Sequence, residues 1–289
     1  MSDPRPTFHP TPSRPKLELP AGSWDCHCHI FGPQKVFPFA ADRTFTPGDA
    51  PKEKLFALYE RLGIAHSVIV NSSAHGIDNR AAEDALVAKN GAFRAVALLP
   101  VTVSDAELKR LDAIGFRGVR FHYMGHLSKG TPIEEVIAFA RRLEPIGWHL
   151  QIHLEGGLIG EMSPILKRSP VPVVIDHMGR VDASKGLDQP AFKSLLALLA
   201  DRKLWVKVSG SDRITRQGPP YDDAVPFAAK LVSEFTDRVV WGTDWPHPNH
   251  AGPVPDDGDL VDLIGRIAPA EAQRQALMVD NPRRLYRWG

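Results

Sequence analysis

Short runs of apolar and β-branched residues recur along the chain at near-regular spacing, and between them apolar positions return every three or four residues. The runs cover 23–30, 67–71, 93–99, 116–123, 149–154, 171–177, 204–209 and 239–244. Helical periodicity fills 52–62, 78–89, 105–114, 133–143, 191–200 and 222–235. Strands alternating with helices in this way build parallel sheets, because a parallel pair needs a crossover that a helix supplies. Eight such units predict an α/β fold, a single closed (β/α)8 TIM barrel rather than an open doubly wound sheet. The length, 289 residues, suits one such barrel of roughly 250 residues with a short extension. We therefore expect a proline-rich arm over 1–20 and one barrel domain over 21–289.

The polar interruptions of these runs are not scattered. His27, His29, Arg120, His122, His153, His177, Ser209 and Asp244 all fall at or just past the C-terminal end of a predicted strand. In a (β/α)8 barrel that end is the catalytic face, where side chains converge on the mouth above the packed interior layers.

His27 and His29 stand two apart on a strand, so both point to one face, and Asp25 is expected to point with them. Two imidazoles on one face suit a divalent metal, or a polarising pair without one. The competing reading is a hydrogen-bonded core pair, but burying two imidazoles for stability alone is costly. Asp244 ends an apolar strand in Trp241-Gly242-Thr243-Asp244-Trp245-Pro246-His247-Pro248, where a carboxylate at the mouth can serve as general base. As a helix N-cap it would be unremarkable, yet the residues after it make a poor helix start. His153 and His177 taken singly read as satisfied core histidines. Four histidines and one aspartate converging from four strand ends read as a site.

Arg120 and Arg213 are candidate anion clamps, since a guanidinium grips a carboxylate or sulfonate through parallel hydrogen bonds; structural salt bridging is the alternative. Ser73, His75, Ser209 and Ser211 offer further donors. A metal or the imidazoles would polarise a carbonyl while Asp244 took a proton from water. No Gly-x-Ser-x-Gly elbow, Walker loop or dinucleotide fingerprint is present.

Composition narrows the partners. A formal net charge of +1 provides no broad field for nucleic acid or anionic lipid, so anion recognition must be local. No apolar run reaches about 18 residues, which excludes a membrane-spanning helix. Cys26 and Cys28 are the only cysteines and lie one residue apart in a strand, which argues against a disulfide and for a reducing, cytoplasmic setting. The arm lacks the apolar core of a signal peptide and is expected to lie on the barrel or on a neighbouring subunit, which permits a homo-oligomer.

From about Pro15 to Trp288 the chain resembles the amidohydrolase superfamily, and within it the 2-pyrone-4,6-dicarboxylate lactonases that act in bacterial aromatic-compound degradation. The likeness rests on Asp25-Cys26-His27-Cys28-His29-Ile30-Phe31-Gly32-Pro33, Val173-Val174-Ile175-Asp176-His177-Met178-Gly179-Arg180, Gly218-Pro219-Pro220-Tyr221-Asp222-Asp223 and Trp241-Gly242-Thr243-Asp244-Trp245-Pro246-His247-Pro248-Asn249. The resemblance implies that His27, His29, His177 and Asp244 are catalytic, with Arg120, Arg213 and Ser73 as substrate binders. Those lactonases work without metal. This chain departs from them in carrying His153 where a strand-five tyrosine is expected, and Met124-Gly125-His126 where a second arginine is expected. His153 restores a ligand typical of metal-dependent relatives, so one zinc or manganese ion on His27, His29, His153, His177 and Asp244 enters as an expectation beside metal-free operation. Loss of a clamp, with His126 in its place, shifts the expected substrate from the pyrone dicarboxylate towards muconolactone-type rings such as 4-sulfomuconolactone. Sugar-acid lactonase, lactone isomerase and a catalytically dead binding module are the remaining alternatives.

Overall fold

The computed structural model describes residues 7–127, 130–250 and 252–288. Eight parallel strands pair in sequential order: β1 (Trp24–Cys28), β2 (His66–Val70), β3 (Phe93–Ala97), β4 (Phe116–Tyr123), β5 (His149–Leu154), β6 (Val173–Ile175), β7 (Leu204–Lys207) and β8 (Val239–Val240). The seam between β8 and β1 is closed by backbone bonds from Cys26 N to Trp241 O at 2.8 Å and from Asp244 N to His27 O at 2.7 Å. The chain thus forms the expected (β/α)8 barrel.

Local sequence explains the helices that match their expected limits. Lys52–Leu62 stops at Gly63, whose φ of 76° is the left-handed cap that glycine adopts freely, and Asp105–Ile114 starts where the Ser104 side chain accepts from Glu107 N. The helix Ile159–Leu166 escapes the periodicity because Pro164 lies inside it. β6 and β8 are shorter than their apolar runs. Beyond them the chain leaves the ladder, with His177 at φ 48° and Asp244 at φ 63°, which turns both side chains over the mouth.

The two-residue period fails within β1. Strand register shifts between Asp25 and Cys28, so Asp25 does not share the face of the imidazoles. Its carboxylate instead accepts from Tyr59 Oη on the helix Lys52–Leu62 at 3.0 Å and from Thr243 Oγ1 at 2.6 Å, tying β1 to that helix and to the end of β8. Trp24, Cys26, Val68, Val96, Val174, Trp205 and Val240 pack together as one cluster, and a second, larger cluster joins strands to helices.

The described part of the arm lies along its own barrel. Ser13 donates through N and Oγ to Asp256, the amides of Lys16 and Leu17 reach Asp262 Oδ1 at 2.7 and 2.8 Å, and Phe8 packs on Trp245 with ring centroids 5.0 Å apart. Residues 1–6 of the expected arm lie outside the described residues. Among the described residues no helix is long and apolar enough to cross a membrane.

Candidate active site

Beneath the mouth, three strands contribute a polar layer. Asp176, just past β6, accepts from Arg120 Nε on β4 at 2.8 Å and from Gln151 Nε2 on β5 at 3.0 Å, both at Oδ2. Lys207 on β7 is fully buried and donates to Cys26 O and Gln151 Oε1, each at 2.8 Å. Above this layer stand the imidazoles and Asp244. Asp244 Oδ1 is 3.2 Å from His29 Nε2 and 3.6 Å from His27 Nε2, while Oδ2 is 3.9 Å from His177 Nε2. Gly242 allows this approach, since a Cβ there would meet Asp25 Oδ1 at 2.7 Å.

Arg213 does something its sequence reading did not anticipate. Nε and Nη2 reach Asp244 Oδ2 at 2.8 and 2.6 Å, and Nη1 donates to Pro248 O at 3.1 Å. The residue expected to clamp substrate is here committed to the expected base. Burial alone would raise the Asp244 carboxyl, but Arg213, His177, His29 and His27 outweigh it and hold it well below the usual carboxylate range. Asp176 is likewise held low against its burial by Arg120 and Lys207. The imidazoles move the other way. Burial, reinforced by Lys207, keeps His27 well below its ordinary value; burial, partly opposed by Asp244, pushes His177 down to about 4. Burial and then Arg120 depress His122 and His153, whose Nδ1 atoms share one hydrogen bond at 3.3 Å. At neutral pH Asp244 and Asp176 are therefore ionised, and His27, His122, His153 and His177 are neutral.

A cavity of about 230 Å³ opens over this centre. It brings together His29, Ser73, Arg120, His126, His153, His177, Arg213 and Asp244, while His27 lies fully buried behind its wall. His126 is exposed at the rim. Arg180 also lines the cavity and was noted in the sequence only as part of a motif. Among the described residues its guanidinium makes no hydrogen bond or ion pair, and burial together with Arg213 pushes it down to about 10, still protonated at neutral pH. Its signal was available: it follows His177 by three residues, past the end of an apolar strand. Lys207, two residues before Ser209 in a strand with period two, was equally visible and equally missed.

His27, His177 and Asp244 form the group whose ligand atoms lie within 4.8 Å of one another. His29 and His153, also expected as ligands, stand outside that group. His29 Nδ1 donates to Val70 O at 2.7 Å, and His153 is paired with His122.

A barrel whose strand ends carry this His-x-His pair, a strand-six histidine and a strand-eight aspartate defines an amidohydrolase site. The family model "Amidohydrolase" matches residues 24–288, and the chain belongs to this family. It is 45% identical over 288 residues to a 2-pyrone-4,6-dicarboxylate hydrolase of Comamonas testosteroni, covering 96% of this chain and 94% of that protein. It is 39% identical to a 4-sulfomuconolactone hydrolase of Hydrogenophaga intermedia, covering 97% of this chain and 93% of the relative. A crystal structure of a probable 2-pyrone-4,6-dicarboxylic acid hydrolase from Acinetobacter baumannii, with citric acid bound, superposes with a TM-score of 0.81 at 26% identity, covering 92% of this chain and 99% of that one.

Proposed function

We propose that this chain is a lactone hydrolase that opens an anionic, unsaturated lactone of the muconolactone or 2-pyrone type. The observation that carries the reading is an ionised Asp244 set among His27, His29 and His177 at the floor of a cavity lined by Arg120, Arg180 and Arg213. Relatives named for pyrone dicarboxylate and sulfomuconolactone hydrolysis support it.

The chemistry follows from the groups present. The carboxylate or sulfonate of the ring is held by Arg180, because Arg213 is engaged by Asp244 and Arg120 by Asp176. Asp244 accepts a proton from water as the water oxygen bonds to the lactone carbonyl carbon, and the imidazole edges stabilise the charge that develops on the carbonyl oxygen. The ring C–O bond then breaks, and the proton returns from Asp244 to the leaving enol or alcohol oxygen. A carboxylate held this acidic is a weak base, so polarisation of the carbonyl must supply much of the acceleration.

The donor set also suits a metal. His27 Nε2 is buried without a hydrogen-bond partner, and together with His177 and Asp244 it offers two imidazoles and one carboxylate, a combination zinc or manganese accepts. When bound by these three, such an ion would supply Lewis-acid polarisation of the carbonyl.

The test is hydrolysis of a panel containing 2-pyrone-4,6-dicarboxylate, 4-sulfomuconolactone and an uncharged six-membered lactone, with products read by NMR. Ring opening of a charged member with uptake of one water, and at least tenfold lower kcat/KM on the uncharged one, is expected. No turnover of any member overturns the reading, and a product isomeric with its substrate reassigns the site to lactone isomerisation.

A further inference from the structure

One fully buried cation plays no part in the steps above. Lys207 Nζ lies 2.8 Å from Cys26 O, 2.8 Å from Gln151 Oε1 and 3.2 Å from His27 Nδ1. We propose that Lys207 is a positioning residue that holds His27 in the tautomer with its proton on Nε2, so that His27 offers the reaction centre an N–H rather than a lone pair.

The orientation of every neighbour is determined by what it can exchange. Asp176 Oδ2 only accepts, so the Gln151 amide must turn Nε2 towards it, which leaves Oε1 facing Lys207. An ammonium has three N–H groups and no lone pair. Two go to Cys26 O and Gln151 Oε1, and of the two remaining acceptors His27 Nδ1, at 3.2 Å, is nearer than Asp176 Oδ1, at 3.6 Å. That nitrogen must then carry a lone pair, which sends the single proton of the neutral ring to Nε2. Nε2 faces the centre, 3.6 Å from Asp244 Oδ1, buried and without a hydrogen-bond partner. An N–H held there is a donor for a substrate oxygen acquiring charge.

A rival acceptor sits on the other side. Asp176 Oδ1 is 3.4 Å from His27 Nδ1 and has no hydrogen-bond partner, so without Lys207 it would take an Nδ1–H and leave a lone pair on Nε2. A carboxylate–histidine pair of that form is the arrangement that presents imidazole to a metal. Lys207 and Asp176 therefore bias one ring in opposite directions, and the closer contact, 3.2 Å against 3.4 Å, belongs to Lys207. His29 is held independently of Lys207, because Val70 O can only accept and so requires a proton on His29 Nδ1.

The catalytic consequence rests on the hydrolase reading; the tautomer does not. The experiment is long-range proton–nitrogen NMR of metal-free protein labelled with 15N-histidine, at neutral pH and without substrate, the His27 signals being assigned by their loss in His27→Asn. A bare Nδ1 and a protonated Nε2 are expected, and a protonated Nδ1 overturns the proposal. In Lys207→Met the two states should exchange, zinc measured by calorimetry should bind about 10- to 100-fold more tightly than to wild type, and metal-free kcat should fall about 100-fold with KM within a few-fold. Equal zinc affinity in the two proteins, or an unchanged His27 spectrum, overturns it as well. Should Lys207→Met fail to fold, the wild-type spectrum decides alone. Because that spectrum needs no lactone, failure of every lactone assay would remove the proposed activity and leave this inference standing.

Discussion

Replacing Asp244 by asparagine tests the assignment of the base with little disturbance to the barrel. The carboxylate divides its partners by oxygen: Oδ2 receives Nε and Nη2 of Arg213, and Oδ1 faces His29 Nε2 at 3.2 Å. An asparagine has the same shape and can keep its carbonyl oxygen on the Arg213 side, where it still accepts from Nε and Nη2. The backbone bonds from Asp244 N to His27 O and from His247 N to Asp244 O are untouched. Asp244→Asn should therefore cost only about 1 kcal/mol of stability, the difference between a charge-assisted and a neutral hydrogen bond. Asp244→Ala removes the acceptor altogether, leaves Nε and Nη2 of the buried Arg213 unsatisfied at that place and should cost about 3–5 kcal/mol. Activity should respond differently. Loss of a general base lowers kcat by about 10²- to 10⁴-fold, or about 2.7–5.4 kcal/mol at 1.36 kcal/mol per decade. KM should stay within a few-fold, because the substrate anion is held by other groups. Steady-state kinetics with urea melts of the three proteins decide it. If Asp244→Asn retains more than a tenth of wild-type kcat, Asp244 is not the base, and equal destabilisation by Asn and Ala would refute the hydrogen-bond reasoning.

Two further outcomes follow from the geometry. Arg180→Met removes a guanidinium that has no other partner among the described residues, so KM for a charged lactone should rise about 10- to 100-fold, the worth of about 1.5–3 kcal/mol for hydrogen bonds to a charged group; an unchanged KM, or an equal rise with an uncharged lactone, contradicts its role as the anion clamp. Acid sensitivity should trace in part to His149, which burial pushes down to about 3. Between that value and its unfolded value near 6.5 only the unfolded chain takes the proton, so this contribution to stability is present above about pH 6.5 and is lost as the pH falls. At pH 4.5 the loss is on the order of 3 kcal/mol, and thermal melts of His149→Leu should show a correspondingly smaller stability difference between pH 7 and pH 4.5, whereas an unchanged difference removes His149 from the account.

Much of this protein is legible along the chain. The alternation of apolar runs with helical periods is a local consequence of covering both faces of a parallel sheet, and it identifies all eight strands. Polar residues at strand ends mark the mouth because the interior layers below tolerate few unpaired polar groups, and His27, His29, His177 and Asp244 stand out along the chain on that ground. The expected place of Asp25 fails because a register shift is a property of two paired strands, and periodicity within one strand carries no record of it.

What the tertiary structure alone decided is who faces whom. Arg213 and Asp244 are 31 residues apart, and Lys207 and His27 are 180 apart. No local pattern reveals that the first arginine pairs with Asp244 while Arg180 is left to the cavity, or that a lysine lies behind one imidazole of a two-histidine motif. By itself the sequence determined the barrel, its catalytic end and the residue types gathered there, because these depend on burial and strand period. Pairing depends on where strand ends converge after the barrel closes, and it is pairing that sets which carboxylates stay ionised and which cation is left without a partner over the cavity.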